Sequence, residues 1–279
     1  MIEQTAIQEN LSIATKNKKP FESLTKITVI ARNAFREAVR DRVLYNLVLF
    51  VLLITAAAIF LGELTAGQEA RVITNLGLTA MLLFGAFISI FVGIGLVSKE
   101  IEKRTVFAIF AKPVGRGEFL VGKYLGLCLT LAVNVLVMGV GLSLALFYVG
   151  DASLAASAWS AVFLIFLELT ILTAVAILFS SFSSPALSAL LTFFVFIIGH
   201  SSSALKDMAD SLGTASAQFF FNALYYILPN LAYFNFVTAA ANGKTPSANH
   251  IFGAVAYAAV YVSILLAASV LIFSRRNFK

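Results

Sequence analysis

Six long apolar stretches run through this chain at about 43–62, 76–97, 124–149, 159–182, 185–205 and 250–274, and its basic residues fall in alternate gaps between them. Lys16, Lys18, Lys19, Lys26, Arg32, Arg36, Arg40 and Arg42 precede the first stretch. Lys99, Lys103, Arg104, Lys112, Arg116 and Lys123 follow the second, and Arg275, Arg276 and Lys279 follow the last. The intervening gaps hold only Arg71, Lys206 and Lys244. A spanning helix needs about 20 apolar residues, and basic loops stay on the cytoplasmic side. The pattern predicts an all-α membrane protein with six transmembrane helices, both termini cytoplasmic, in the inner (plasma) membrane.

Composition narrows the alternatives. With 60% hydrophobic and 12% charged residues, the chain carries about half the usual charged fraction. Lipid must then solvate part of its apolar surface. The net charge of +6 is explained by span-flanking residues facing anionic headgroups, so nucleic acid is not an expected partner. No cleavable leader is visible in the polar first 40 residues, and the first span is expected to be its own insertion signal. The one cysteine, Cys128, excludes an internal disulfide.

Within that frame, residues 1–23 read as a cytoplasmic tail and 24–42 as an amphipathic elbow helix lying in the interface. Residues 43–279 form the six-helix transmembrane domain, with a cytoplasmic loop at 98–123 and an extracytoplasmic segment at 206–249. Gly85, Ser89 and Gly93 recur every four residues, as do Gly122 and Gly126. Such spacing lets helices approach closely in lipid, most simply within one chain. The run 218–240 is apolar but interrupted by Pro229 and rich in aromatics. It is expected to be a re-entrant helix pair between spans five and six rather than a seventh crossing.

Polar residues with chemical potential are few. Glu168 lies deep in the fourth span and requires a partner or a polar cavity. Asn134 in the third span is a candidate partner, and His200 reads as a solvated cap at the outer end of the fifth. Two histidines and four methionines do not support a metal site. No phosphate-binding loop and no Gly-x-Ser-x-Gly nucleophile turn occurs. Neither catalytic residues nor a resident cofactor are expected.

The segment 98–126, SKEIEKRTVFAIFAKPVGRGEFLVGKYLG, carries the strongest local signal. A charge cluster is followed by a short apolar run and then by Pro113 and Gly115. Glu100-Ile-Glu102-Lys-Arg-Thr105, then Lys112-Pro113-Val-Gly-Arg116-Gly117-Glu118 and Gly122-Lys123, resembles the cytoplasmic loop of ABC-2 type transporter permeases. Tyr225-Tyr226-Ile-Leu-Pro229-Asn230 is similar to their outer segment. Arg104 stands where glycine is usual. The branch closest in appearance is the nitrous-oxide-reductase maturation permease.

The resemblance implies a permease subunit paired with a second copy or homologue and driven by separate cytoplasmic ABC ATPase subunits, which would hold ATP and Mg. Glu100, Glu102, Lys103, Arg104, Thr105 and Phe107 would form the coupling helix. The activity implied is export of a substrate, or transmission of motion to an extracytoplasmic partner. The alternative is a six-span scaffold or assembly protein without an ATPase.

Overall fold

The computed structural model describes residues 23–39, 67–102, 115–211 and 215–275, together with 49, 50, 53, 54, 56, 57 and 60. Helix is the only regular secondary structure among them. The segment expected to be an elbow forms helix α1 over 23–39. It is followed by α2 (Glu69–Glu102), α3 (Arg116–Val149), α4 (Ala152–Ser180) and α5 (Pro185–His200). Three short helices come next: α6 (Ser202–Ser211), α7 (Ala215–Ile227) and α8 (Val237–Ala241), with a 3-10 turn at Leu231–Phe234 between the last two. The final long helix is α9 (Ala248–Arg275).

Four of these helices, α2, α3, α4 and α9, are long and apolar enough to cross a membrane. The expected first span, 43–62, falls largely outside the described residues. The expected fifth span differs from the prediction. Helix α5 has 16 residues and reaches only about 24 Å, short of a hydrocarbon core of about 30 Å. The chain turns at Ser201 and starts again as α6.

Helix α4 is the axis of the bundle. Its apolar residues face every direction, and Leu164, Leu169, Ile171, Leu172, Ala174 and Ile177 are all fully buried, as befits a helix surrounded by others. Helix α2 reaches it through its small-residue stripe. A Cβ at Gly85 would strike the Leu169 side chain, one at Gly93 would lie 3.2 Å from Ala176 Cβ, and Ser89 Oγ donates to Leu169 O at 3.5 Å. The stripe is thus an intrachain seam.

Two tight hairpins hold the long helices antiparallel. Gly150 adopts a left-handed φ of 89°, a conformation that costs glycine little, and Asp151 N–H reaches back to Leu146 O at 3.1 Å. Asp151 then caps α4, its Oδ1 accepting from Leu154 N at 3.1 Å and Ser153 Oγ at 2.7 Å. Those bonds hold its carboxyl below the ordinary value. Pro185 opens α5 in the first helical turn, where its missing N–H costs nothing.

The elbow packs onto α3 through the second small-residue pair. A Cβ on Gly122 would meet Ile30 Cγ2 at 2.7 Å, and one on Gly126 would meet Ala34 Cβ at 2.6 Å. Ala34 and Ala38 are fully buried, while Leu24 and Val29, expected on the apolar face, are exposed. The interior stripe of α1 is therefore Ile27, Ile30, Ala31, Ala34 and Ala38, a 3–4 spacing that places one side against the glycines.

The predicted interruption at Pro229 is present, separating α7 from the 3-10 turn. Two tyrosines of α9 satisfy the backbone it frees. Asn230 N–H donates to Tyr257 Oη at 2.9 Å, and Tyr261 Oη donates to Ile227 O at 2.6 Å. Broken helices in an apolar medium require such internal partners.

Candidate functional site

Position 168 places a glutamate at the most enclosed part of the most enclosed helix. Its side chain is only 1% exposed, and its Oε1 lies 3.2 Å from His200 Nε2. Asn134 does not supply the partner: its Nδ2 donates to Thr130 O at 2.8 Å, and its own Oδ1 is buried without a hydrogen bond. The expected solvated cap, His200, is instead a buried-side contact of α4. Two features of α5 aim it there. Gly199 lets the helix approach Pro229 O and Leu231 closely, since a Cβ there would lie 2.8 Å from each, and the imidazole leans on the Phe196 ring at a centroid distance of 4.7 Å.

The second ring nitrogen fixes the chemistry. His200 Nδ1 lies 3.1 Å from Phe196 O, and a carbonyl only accepts, so Nδ1 carries a proton. Nε2 then faces the carboxyl either as a bare acceptor opposite a protonated acid or as a donor opposite a carboxylate. In both forms the contact holds a single proton. It is not aligned as a linear hydrogen bond, and Glu168 Oε2 has no described partner. Sequence reasoning missed this pair because 32 positions separate its members and nothing in the local pattern around His200 marks it; the hairpin at 181–184 brings them level.

The other predicted site follows α2. Glu100 and Glu102 belong to the last turn of α2, while Lys103, Arg104, Thr105 and Phe107 fall outside the described residues. What borders that loop is well defined. Gly115 N–H donates to Glu118 Oε2 at 2.8 Å, closing the first turn of α3. The Arg116 guanidinium donates to Ser274 O and Phe273 O, so it caps the carbonyl end of α9, where positive charge is favoured. Lys123 is buried at 5% exposure, yet its Nζ lies 3.3 Å from Glu37 Oε2 of the elbow and 5.8 Å from the centre of the Phe119 ring. The start of α3, the end of α9 and the elbow are thus tied together.

The family model described as ABC-2 family transporter protein matches residues 28–278. The chain belongs to the ABC-2 transporter family. The match supports the family and not the narrower nitrous-oxide-reductase maturation branch. No curated protein sequence matches the chain. As an ABC-2 membrane component, it belongs to a multi-pass transporter part that is not itself the catalytic unit. ABC-2 membership also implies partnership with an ABC ATPase in general terms.

Proposed function

We propose that the chain is the permease subunit of an ABC-2 exporter or mechanotransmitter, driven by separate ATPase subunits at its basic, cytoplasmic end. The family match across 28–278 carries this reading. The ATPases hold the ATP and Mg, and the chain supplies no residue to hydrolysis. A second copy or homologue completes the membrane part, and 98–112 is the coupling helix.

The tied end supports a mechanical role. A push on the coupling loop arrives at Arg116 and Glu118, and the bonds of Arg116 and Lys123 pass it to α9 and α1 together. From α3 the motion reaches α4, whose Glu168 contact with His200 links it to the short α5 and to the outer segment beyond Ser201. Asn134 is a second polar residue along the α3 part of this route. In this account the outer segment, 206–249, either releases substrate or presses on an extracytoplasmic partner.

Co-expression with an ABC ATPase tests the proposal. The purified complex is expected to hydrolyse ATP faster than the ATPase alone, and Glu102→Lys or Arg104→Glu is expected to abolish the stimulation while leaving the chain in the membrane. Stimulation that survives both reversals excludes 98–112 as the docking element, and failure of any ATPase to co-purify favours the scaffold alternative.

A further inference from the structure

A cavity of about 370 Å³ opens where α5 gives way to α6. Its size falls within the range of small-ligand sites, about 300–1,000 Å³. The walls combine charges of both signs with aromatic rings: Lys206 and Asp207 from α6, Tyr225 from α7, and Ser202, Asn230 and Tyr233 around them. One part of the wall is rigid. Asn230 Oδ1 accepts from the buried Ser202 hydroxyl at 2.7 Å, and its backbone N–H is held by Tyr257. That leaves Asn230 Nδ2 as a fixed donor with no described partner. Lys206 and Asp207 are exposed and pair with no other described residue.

The charges decide the ligand class. A simple anion attracted by Lys206 meets the carboxylate of Asp207, and a simple cation attracted by Asp207 meets the ammonium of Lys206. A molecule with an anion and a cation a few ångströms apart satisfies both. Lys206 Nζ and Asn230 Nδ2 are hydrogen-bond donors suited to phosphate oxygens. Asp207 and the faces of Tyr225 and Tyr233 suit an alkylammonium group.

The surroundings decide between a free zwitterion and an amphiphile. Helix α7, which carries Tyr225, displays Phe219 at 78% exposure, Tyr226 at 80% and Ile227 at 70%. A tyrosine such as Tyr226 belongs at the headgroup level of a bilayer, and apolar side chains such as Phe219 and Ile227 suit its acyl region. A free zwitterion leaves that surface uncovered, whereas acyl chains running from the cavity lie along it. We propose that the cavity is a binding site for the headgroup of a zwitterionic phospholipid of the phosphoethanolamine class. The proposal goes beyond the permease reading and holds whether or not an ATPase drives the chain.

The test is native mass spectrometry of the delipidated full-length protein in detergent, titrated separately with phosphatidylethanolamine, phosphatidylglycerol and diacylglycerol. Phosphatidylethanolamine is expected to bind best. Lys206→Ala is expected to weaken both phospholipids by about tenfold, the effect of losing one charge-assisted hydrogen bond. Asp207→Asn is expected to remove the preference for ethanolamine over glycerol while leaving phosphate binding intact. Unchanged helical circular dichroism and a single elution peak establish that both variants fold. Retention of phosphatidylethanolamine no stronger than diacylglycerol overturns the proposal, as does indifference to both substitutions in folded protein. Displacement of the lipid by soluble O-phosphoethanolamine at matching concentration overturns the lipid assignment and leaves a free zwitterion as the ligand.

Discussion

Replacing His200 by Phe strips the Glu168 carboxyl of its only described partner, and the structure sets how much that should cost. The acid is 1% exposed and the imidazole 21%, so the two halves of the pair are unequal. Removing one member of a buried ion pair costs about 3–5 kcal/mol, because the survivor stays buried without compensation. His200→Phe leaves the fully enclosed group, which meets part of the loss by staying protonated, and so belongs at the bottom of that range. Glu168→Leu leaves an imidazole that still bonds Phe196 O and keeps some access to solvent, so its cost is closer to that of one unsatisfied polar group, about 1–3 kcal/mol. The double variant has nothing polar left to desolvate, and apolar replacement of a buried pair is often neutral or better. It is therefore expected to be more stable than the His200→Phe single variant. The coupling free energy should exceed about 2 kcal/mol, well above the ~0.6 kcal/mol average of interhelical polar contacts in membranes. Reversible unfolding of the purified chain and its three variants in mixed micelles or bicelles measures the cycle. Single costs that simply add, within about 0.5 kcal/mol, refute the reasoning, and the contact then contributes nothing to holding α5 on α4.

The elbow seam gives a second prediction: Gly126→Val places a branched side chain where even one methyl meets Ala31 O at 2.5 Å, and overpacking of this kind costs about 1–3 kcal/mol. Thermal unfolding should show the loss, and proteolysis should release the elbow first. Glu168→Gln keeps the shape of the acid but not its charge, and is expected to lower transport or ATPase coupling without changing the amount of assembled complex; full activity would restrict the pair to a structural role. Asp151 governs a pH dependence at the α3–α4 turn. Its folded-state value is lowered by the Ser153 and Leu154 bonds, so its stabilisation is complete above the ordinary carboxylate range and fades as pH falls through the lowered folded value. Asp151→Ala is expected to remove about 1 kcal/mol, the usual contribution of an N-cap, and to flatten the acid limb of a stability–pH curve; an unchanged limb contradicts the assignment.

The long helices were readable because lipid imposes a coarse rule. A crossing segment must be apolar along some 20 residues, and α2, α3, α4 and α9 each satisfy it without help from tertiary context. Helix α5 was misjudged because composition alone does not show where a helix must stop. His200-Ser-Ser-Ser reads as helix-compatible, yet the chain turns at Ser201 before α6 begins, and nothing in the local composition marks that turn. The small-residue repeats announced close packing but not the partners, since any smooth face fits another; only the fold assigns Gly85 and Gly93 to α4, and Gly122 and Gly126 to the elbow. Glu168 was recognisable from its burial cost alone. Its partner was not, because a histidine next to three serines at a helix end has the sequence appearance of a wet terminus. Tyr257 and Tyr261 were similarly hidden: their role is to satisfy backbone groups of another segment, and no pattern within α9 announces that duty.

The account stands on the loop after α2 facing the cell interior, within reach of a motor. Replacing the native Cys128 by Ser and introducing a single cysteine at Thr105 makes that position reportable by a membrane-impermeant maleimide. The expected result is no labelling in intact cells, labelling after the cytoplasmic face is opened, and protection when the ATPase is bound. Labelling of Thr105→Cys from outside intact cells would contradict the orientation and, with it, the docking of an ATPase on this loop.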